Sequence, residues 1–356
     1  MNPIRVLIVE DSPVAQEFLS YILTSDPDIK VAGVARNGAE ALAAVKALRP
    51  SVITMDIHMP IMDGFEATRR IMETVPTPIV IVSGSTASTE VASTFRAMEA
   101  GALAVVLRPR GLNHVAFDEG SKELILTVKL MSEIRVVRRI SRENLAHVSA
   151  PVIPAQGLKT ISGIQIIAIG ASTGGPVVLK EILSGLRKDF PVPVLIVQHI
   201  ASGFVKGFTE WLSDTSGFPV YIASHGEAAL PGHGYLPPDG LHLGVASGPR
   251  IVLSNDPPES NGLRPSVAYL FRSAAQVLGP QVVGVLLTGM GRDGAEEMKM
   301  MKDRGAITIV QDEASSVVFG MPSEAIKLEA ATYILPPEGI AAMLSALSGK
   351  LKEESP

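Results

Sequence analysis

The sequence predicts an α/β protein made of two doubly wound parallel-sheet domains joined by a linker. Three observations predict it. Short apolar runs alternate with segments of helical periodicity, the alternation stops near residue 134 and resumes near residue 164, and 356 residues suffice for two domains of roughly 100–200 residues. Strands alternating with helices imply right-handed crossovers and parallel sheets.

The first half supplies five strand-length runs: IRVLIVE, IKVAGVA, SVITMD, PIVIVSG and ALAVVL, separated by helix-like segments such as NGAEALAAVKALR. One domain is expected over residues 1–125. From Ile134 to Gly163 the character changes, as IRVVRRISRENL leads into HVSAPVIPAQGLKTISG. Residues 126–163 are read as a helix end followed by a Pro- and Ala-bearing linker. Alternation resumes with IQIIAIG, VPVLIVQH, VVGVLLTG and AITIVQ, so a second sheet is expected over 164–350.

Composition excludes several functions. Hydrophobic residues make up 46% of the chain, yet Gly, Pro or a charge interrupts every apolar stretch before the ~18 residues of a membrane span. The N-terminal MNPIRVLIVEDS lacks the small-residue cleavage site of a secretory signal, so a cytoplasmic protein with no direct membrane insertion is expected. The absence of cysteine excludes disulfides, thiolate catalysis and cysteine metal sites. A net charge of −5 gives no general reason to bind nucleic acid. A transcription factor would also need a helix-turn-helix pattern, and the basic run IRVVRRISR reads instead as a solvated helix face.

In an open parallel sheet the functional crevice lies at the carboxyl ends of the strands. The first half places Glu10 and Asp11 after its first strand and Asp56 after its third. Crowded carboxylates repel unless a hard divalent cation neutralises them, and Mg²⁺ suits an all-oxygen set. Ser83 ends the fourth strand and Arg108 follows the fifth, adding a hydroxyl and a cation to the same rim. Ser12 and Pro13 fit a plain helix start, with Ser12 as N-cap.

Together IVEDS, MDIHMPIMDG, IVSGS and LRP resemble a response-regulator receiver domain, over about the first 125 residues. The resemblance implies a flavodoxin-like fold, Asp56 as phospho-acceptor, and Glu10, Asp11 and Asp56 around Mg²⁺. It also makes Ser83 the switch hydroxyl. The family carries Lys where this chain has Arg108, so a planar fork replaces a compact ammonium.

In the second half, Gly170-Ala171-Ser172-Thr173-Gly174 fits G-x-S-x-G, a nucleophile on a sharp strand-to-helix turn. Glycines there permit the turn and let substrate approach the hydroxyl. A dinucleotide-binding turn is the rival reading, although Ser172 occupies the place of its second glycine. The pattern alone leaves both open. His199 ends the next apolar strand, which puts a base on the same rim, and Asp293 follows a later strand in GVLLTGMGRDGAEEM. Each has an ordinary alternative: a structural histidine, and an aspartate capping the helix that follows. His225, His233 and His242 fall in a Gly/Pro-rich stretch and read as surface or loop-packing residues.

Taken together, AIGASTGGP, VQH, RPSV and LLTGMGRDG resemble the catalytic domain of the chemotaxis protein-glutamate methylesterase (CheB) family. With the receiver, the resemblance spans nearly the whole chain and implies a Rossmann-like esterase domain. It implies Ser172 as nucleophile, His199 as general base and acid, and Asp293 as the group orienting the imidazole. It also implies Thr173 and Met290 as site-lining residues, with the Met290 backbone N–H as oxyanion donor, and no cofactor for the esterase. Arg264 matches a family position, whereas Ala268 and Tyr269 stand where Asp-Val is more usual. The implied activity is hydrolysis of glutamate γ-methyl esters on the cytoplasmic helices of chemotaxis receptors, with deamidation of glutamines. A chemotaxis histidine kinase is the implied phosphodonor, and the unphosphorylated receiver is expected to obstruct access to Ser172. A receiver joined to a nucleotide-binding α/β domain is the alternative.

Overall fold

The structure is a computed structural model, and it describes residues 3–85, 88–111, 117–134, 136, 163–259 and 262–349. The chain divides into two compact units, Met1–Ala146 and His147–Pro356. Most of the expected linker and of the basic run IRVVRRISR lies outside the described residues.

The first unit runs β1 (Ile4–Val9), α1 (Pro13–Thr24), β2 (Ile29–Ala35), α2 (Gly38–Leu48), β3 (Val52–Met55), α3 (Gly64–Thr74), β4 (Ile79–Ser83), α4 (Ser88–Ala100), β5 (Ala104–Leu107) and α5 (Phe117–Ser132). Its sheet has the order β2-β1-β3-β4-β5, with every pairing parallel. Strands β3 and β4 are buried throughout because helices cover both faces, which is why they read as unbroken apolar runs. The order reverses between β1 and β3, and that switch point opens a crevice at their carboxyl ends. Ser12 caps α1, accepting from the Ala15 N–H at 3.4 Å, with Pro13 opening the helix. Residue 125, the expected boundary, falls inside α5.

The second unit runs β6 (Ile166–Ala171), α6 (Gly175–Ser184), β7 (Val194–Gln198), α7 (Val205–Ser216), β8 (Val220–Ile222), β9 (Gly234–Leu236), β10 (His242–Ala246), β11 (Arg250–Ser254), α8 (Val267–Leu278), β12 (Val282–Leu286), α9 (Ala295–Asp303), β13 (Ile307–Gln311), α10 (Met321–Lys327), β14 (Tyr333–Leu335) and α11 (Pro337–Gly349). Seven parallel strands follow the order β14-β13-β12-β6-β7-β9-β8, and β10 and β11 form a separate antiparallel hairpin. Across the middle, Leu286 of β12 pairs with Gly170 of β6, which pairs with Val197 of β7. Three neighbouring strands therefore end at one level.

The four expected strands are present, and the Gly/Pro-rich stretch adds structure of its own. His242, expected at the surface or in loop packing, opens β10, is fully buried and stacks on Tyr269 with ring centroids 4.6 Å apart. His225 is exposed and bonds the Leu253 backbone, and His233 stacks on Tyr221.

Ile169 lies in the central strand β6 with none of its surface exposed. Ile169→Ala should therefore destabilise the second unit by about 2–5 kcal/mol, read from urea unfolding.

Candidate functional site

The second unit gathers its polar residues where β12, β6 and β7 end. Ala171 pairs with Gln198, so Ser172 and His199 are the next positions on neighbouring strands about 4.8 Å apart. The His199 N–H donates to the Ala171 carbonyl at 3.0 Å, continuing the ladder one step past the strand. After Ser172 the chain must turn into α6. Gly174 makes that turn at φ 80°, a left-handed conformation that glycine adopts without strain, and a Cβ there would lie 2.6 Å from Val317.

Asp293 comes from the loop after β12. Its carboxylate is only 2% exposed and meets four partners. Oδ2 lies 2.9 Å from His199 Nε2 and accepts from the Val267 N–H at 2.7 Å, while Oδ1 accepts from the Ser266 hydroxyl at 2.9 Å and the Ala268 N–H at 3.1 Å. Burial alone would push its pKa up. The bonds from His199, Val267 and Ser266 outweigh burial and hold the carboxyl below the usual range. An ionised carboxylate can only accept, so the bond to Asp293 calls for the proton on His199 Nε2.

The capping alternative for Asp293 does not hold for the helix that follows it. Its own following helix, α9, starts from Gly294 without a side-chain cap. Asp293 instead caps α8, whose first two N–H groups it takes from across the site, where the macrodipole favours an anion. Ala268 contributes through its backbone alone. Arg264 donates to the Asn255 and Asp256 carbonyls and to the Asn255 side chain, latching the loop that leads into α8.

The loop Thr288–Asp293 forms the far wall. The Ser172 N–H donates to the Thr288 carbonyl at 3.0 Å, and the Thr288 hydroxyl donates to the Thr173 carbonyl at 2.9 Å. Gln311, at the end of β13, accepts from the Thr288 N–H at 2.8 Å. Gly289 lies so close that a Cβ would come within 2.7 Å of Ser172 Cβ, and Met290 follows it. Beside Met290 opens a groove of about 550 Å³, which Arg292, Val318, Phe319 and Lys327 also line. Thr288, Gln311, Gln198 and Ser266 belong to this site and escaped the sequence analysis. Each stood inside a stretch already singled out, Gln198 in VQH, Ser266 in RPSV, Thr288 in LLTGMGRDG and Gln311 in AITIVQ, with no role attached to it.

The first unit repeats the principle. Glu10 and Asp11 follow β1, Asp56 follows β3, Ser83 ends β4 and Arg108 follows β5. Carboxylate oxygens of Glu10, Asp11 and Asp56 lie within 4.8 Å of one another. Burial, then the Asp56 charge beside it, pushes Glu10 up to about 7, and burial likewise raises Asp56. Such crowded, hard oxygen donors fit a divalent cation such as Mg²⁺. Arg108 partly offsets the crowding: its Nη2 lies 2.6 Å from Glu10 Oε2 and 3.8 Å from Asp56 Oδ1. A cavity of about 270 Å³ opens between Asp56, His58, Ser83, Ser85, Thr94 and Arg108. The Ser83 hydroxyl donates to the Ser85 carbonyl at 2.9 Å.

Residues 167–344 match the CheB methylesterase family model, and residues 6–116 match that of the response regulator receiver domain. A protein-glutamate methylesterase/protein-glutamine glutaminase of Syntrophus aciditrophicus is 55% identical over 98% of this chain and 99% of its own length. The chain belongs to the CheB methylesterase family. A relative of the same description from Geobacter metallireducens is 54% identical over 97% of this chain and 99% of its own. The crystal structure of the Thermotoga maritima CheB methylesterase catalytic domain aligns over 52% of this chain and all of its own, at 37% identity and a TM-score of 0.50. The chain is thus an enzyme, a CheB methylesterase carrying a receiver, and the nucleotide-binding alternative is set aside. No described helix is long and apolar enough to cross a membrane.

Because Asp293 both faces His199 and caps α8, Asp293→Ala should lower stability by about 1–2 kcal/mol in thermal denaturation at pH 7. The sign of its pH dependence follows from its lowered pKa. The contribution is fully present above the unfolded value of about 4 and is lost as pH falls through the lower folded value. The gap between the parent and Asp293→Ala should therefore narrow below about pH 4.

Proposed function

We propose that Ser172, His199 and Asp293 hydrolyse γ-methyl esters of glutamyl side chains on the cytoplasmic helices of chemotaxis receptors. The observation that carries this reading is the buried Asp293 carboxylate at 2.9 Å from His199 Nε2, with Ser172 following the strand next to that of His199. His199 Nδ1 takes the proton of Ser172 Oγ as the oxygen attacks the ester carbonyl. The Met290 backbone N–H, with Thr173 alongside, receives the developing oxyanion. The imidazolium returns its proton to the departing methoxide, and methanol leaves. Water, deprotonated by the same nitrogen, then cleaves the acyl-enzyme to the glutamate carboxylate and regenerates Ser172. With a glutamine side chain the same steps release ammonia, in keeping with the double name of the relatives.

In the receiver, Asp56 accepts the phosphoryl group from a chemotaxis histidine kinase in the cytoplasm. Glu10, Asp11 and Asp56 would hold Mg²⁺, which when bound neutralises charge during transfer. Arg108 and Ser83 turn toward the added oxygens, and that rearrangement relieves inhibition of the esterase unit.

Ser172→Ala should lower methanol release from a methylated receptor on the order of 10⁴-fold or more while leaving the melting temperature near that of the parent. Release above a tenth of the parent rate would remove Ser172 from its role. For the regulation, a fragment beginning near Gly163 should be more active than the intact unphosphorylated chain. A small-molecule phosphodonor should activate the intact chain but neither the fragment nor Asp56→Asn. A fragment no more active than the intact chain would exclude inhibition by the receiver.

A further inference from the structure

We infer that Gln198 is a positioning residue for the esterase: its carboxamide clamps the backbones of Ser172 and His199 together. The inference rests on the proposed roles of those two residues. Gln198 is the last residue of β7 and is 3% exposed. Its Nε2 donates both of its hydrogens, one to the Ser172 carbonyl and one to the His199 carbonyl, each at 2.8 Å. These two acceptors fix the amide's orientation, since its oxygen turned the same way would face two carbonyl oxygens.

The consequence is local and specific. The Ser172 peptide is pinned on both sides: its N–H donates to Thr288, and its carbonyl accepts from Gln198 and from the Gly175 N–H at 2.8 Å. His199 is held likewise, by its N–H to Ala171 and its carbonyl to Gln198. With both peptide planes fixed, the Cα–Cβ directions of the two side chains are fixed relative to each other. That is the quantity on which proton transfer between them depends.

The chain accommodates this arrangement at visible expense. Gln198 Oε1 is buried with no hydrogen-bond partner among the described residues, a costly state for an acceptor. It also occupies the space above Gly175, where a Cβ would lie 2.2 Å away. The second glycine of Ser172-Thr173-Gly174-Gly175 thus answers to Gln198, whereas the first answers to the turn. A polar side chain kept under these conditions, touching both reacting residues only through their backbones, fits positioning better than packing.

Gln198→Met removes both donors at nearly unchanged length. It should lower kcat for methanol release on the order of 10²-fold with KM within about twofold of the parent. Phosphonylation of Ser172 by a fluorophosphonate, in which the Oγ–P bond forms and fluoride leaves, should slow in parallel. Thr308→Val serves as the control, because Thr308 is a fully buried polar residue of the same sheet that donates to the Ala330 carbonyl at 2.6 Å, away from the site. At a comparable fall in melting temperature it should keep parental kcat. If Gln198→Met does not fold, Gly175→Ala, which crowds the same carboxamide, carries the same expectation. Parental kcat in whichever of these two folds, or an equal loss in Thr308→Val, overturns the clamp. Ser172→Ala in the same assays separates the two levels: if it remains active, the reading of the site fails; if it is inactive while Gln198→Met turns over normally, only the clamp fails.

Discussion

The in-register pairing of β12, β6 and β7 is the constraint on which the esterase site depends. Parallel strands in register end together, so residues far apart in sequence leave the sheet on one rim without any loop having to find its way there. The pairing needs nothing from the polar residues, because β6, β7 and β12 are buried along their whole lengths. A rigid apolar platform comes first, and the chemistry stands on its edge. The receiver is built to the same plan, with Glu10, Asp11, Asp56, Ser83 and Arg108 drawn from the ends of four strands.

On this platform one carboxylate does two jobs at once. Asp293 takes the first N–H groups of α8 and also faces the imidazole, so the helix dipole that welcomes its charge helps keep it ionised against its own burial. The partner nitrogen is then settled by chemistry, since an anion cannot donate. The carboxylate engages Nε2, so in the proposed mechanism Nδ1 is left for the serine, the reverse of the serine-protease arrangement. The receiver resolves its surplus of negative charge differently, by lodging Arg108 against Glu10 and Asp56.

Much of this was legible in the sequence, for physical reasons. Strands buried on both faces are apolar runs, so the longer ones of both sheets could be read directly, and the residues just after them pointed to the rims. Strands β8, β9 and β14 have three residues each, too few to carry a period. The hairpin β10–β11 lies in a Gly/Pro-rich stretch that reads as loop, although Gly248 at φ 74° marks its turn. The capping of α8 by Asp293 joins residues 25 and 26 positions apart, and no local pattern reports such a pairing. The roles of Gln198, Thr288 and Gln311 stayed hidden inside quoted stretches, because a sequence does not report which groups a buried polar side chain meets.

The double duty of Asp293 has an evolutionary side. On the roles proposed above, loss of Ser172 or His199 would remove a function and leave the architecture standing, whereas loss of Asp293 would also uncap a helix packed on the core. A descendant freed from selection for catalysis would therefore shed its serine and histidine first and keep its aspartate. An aspartate preserved at this position is a signature of ancestry, and activity has to be judged from the other two.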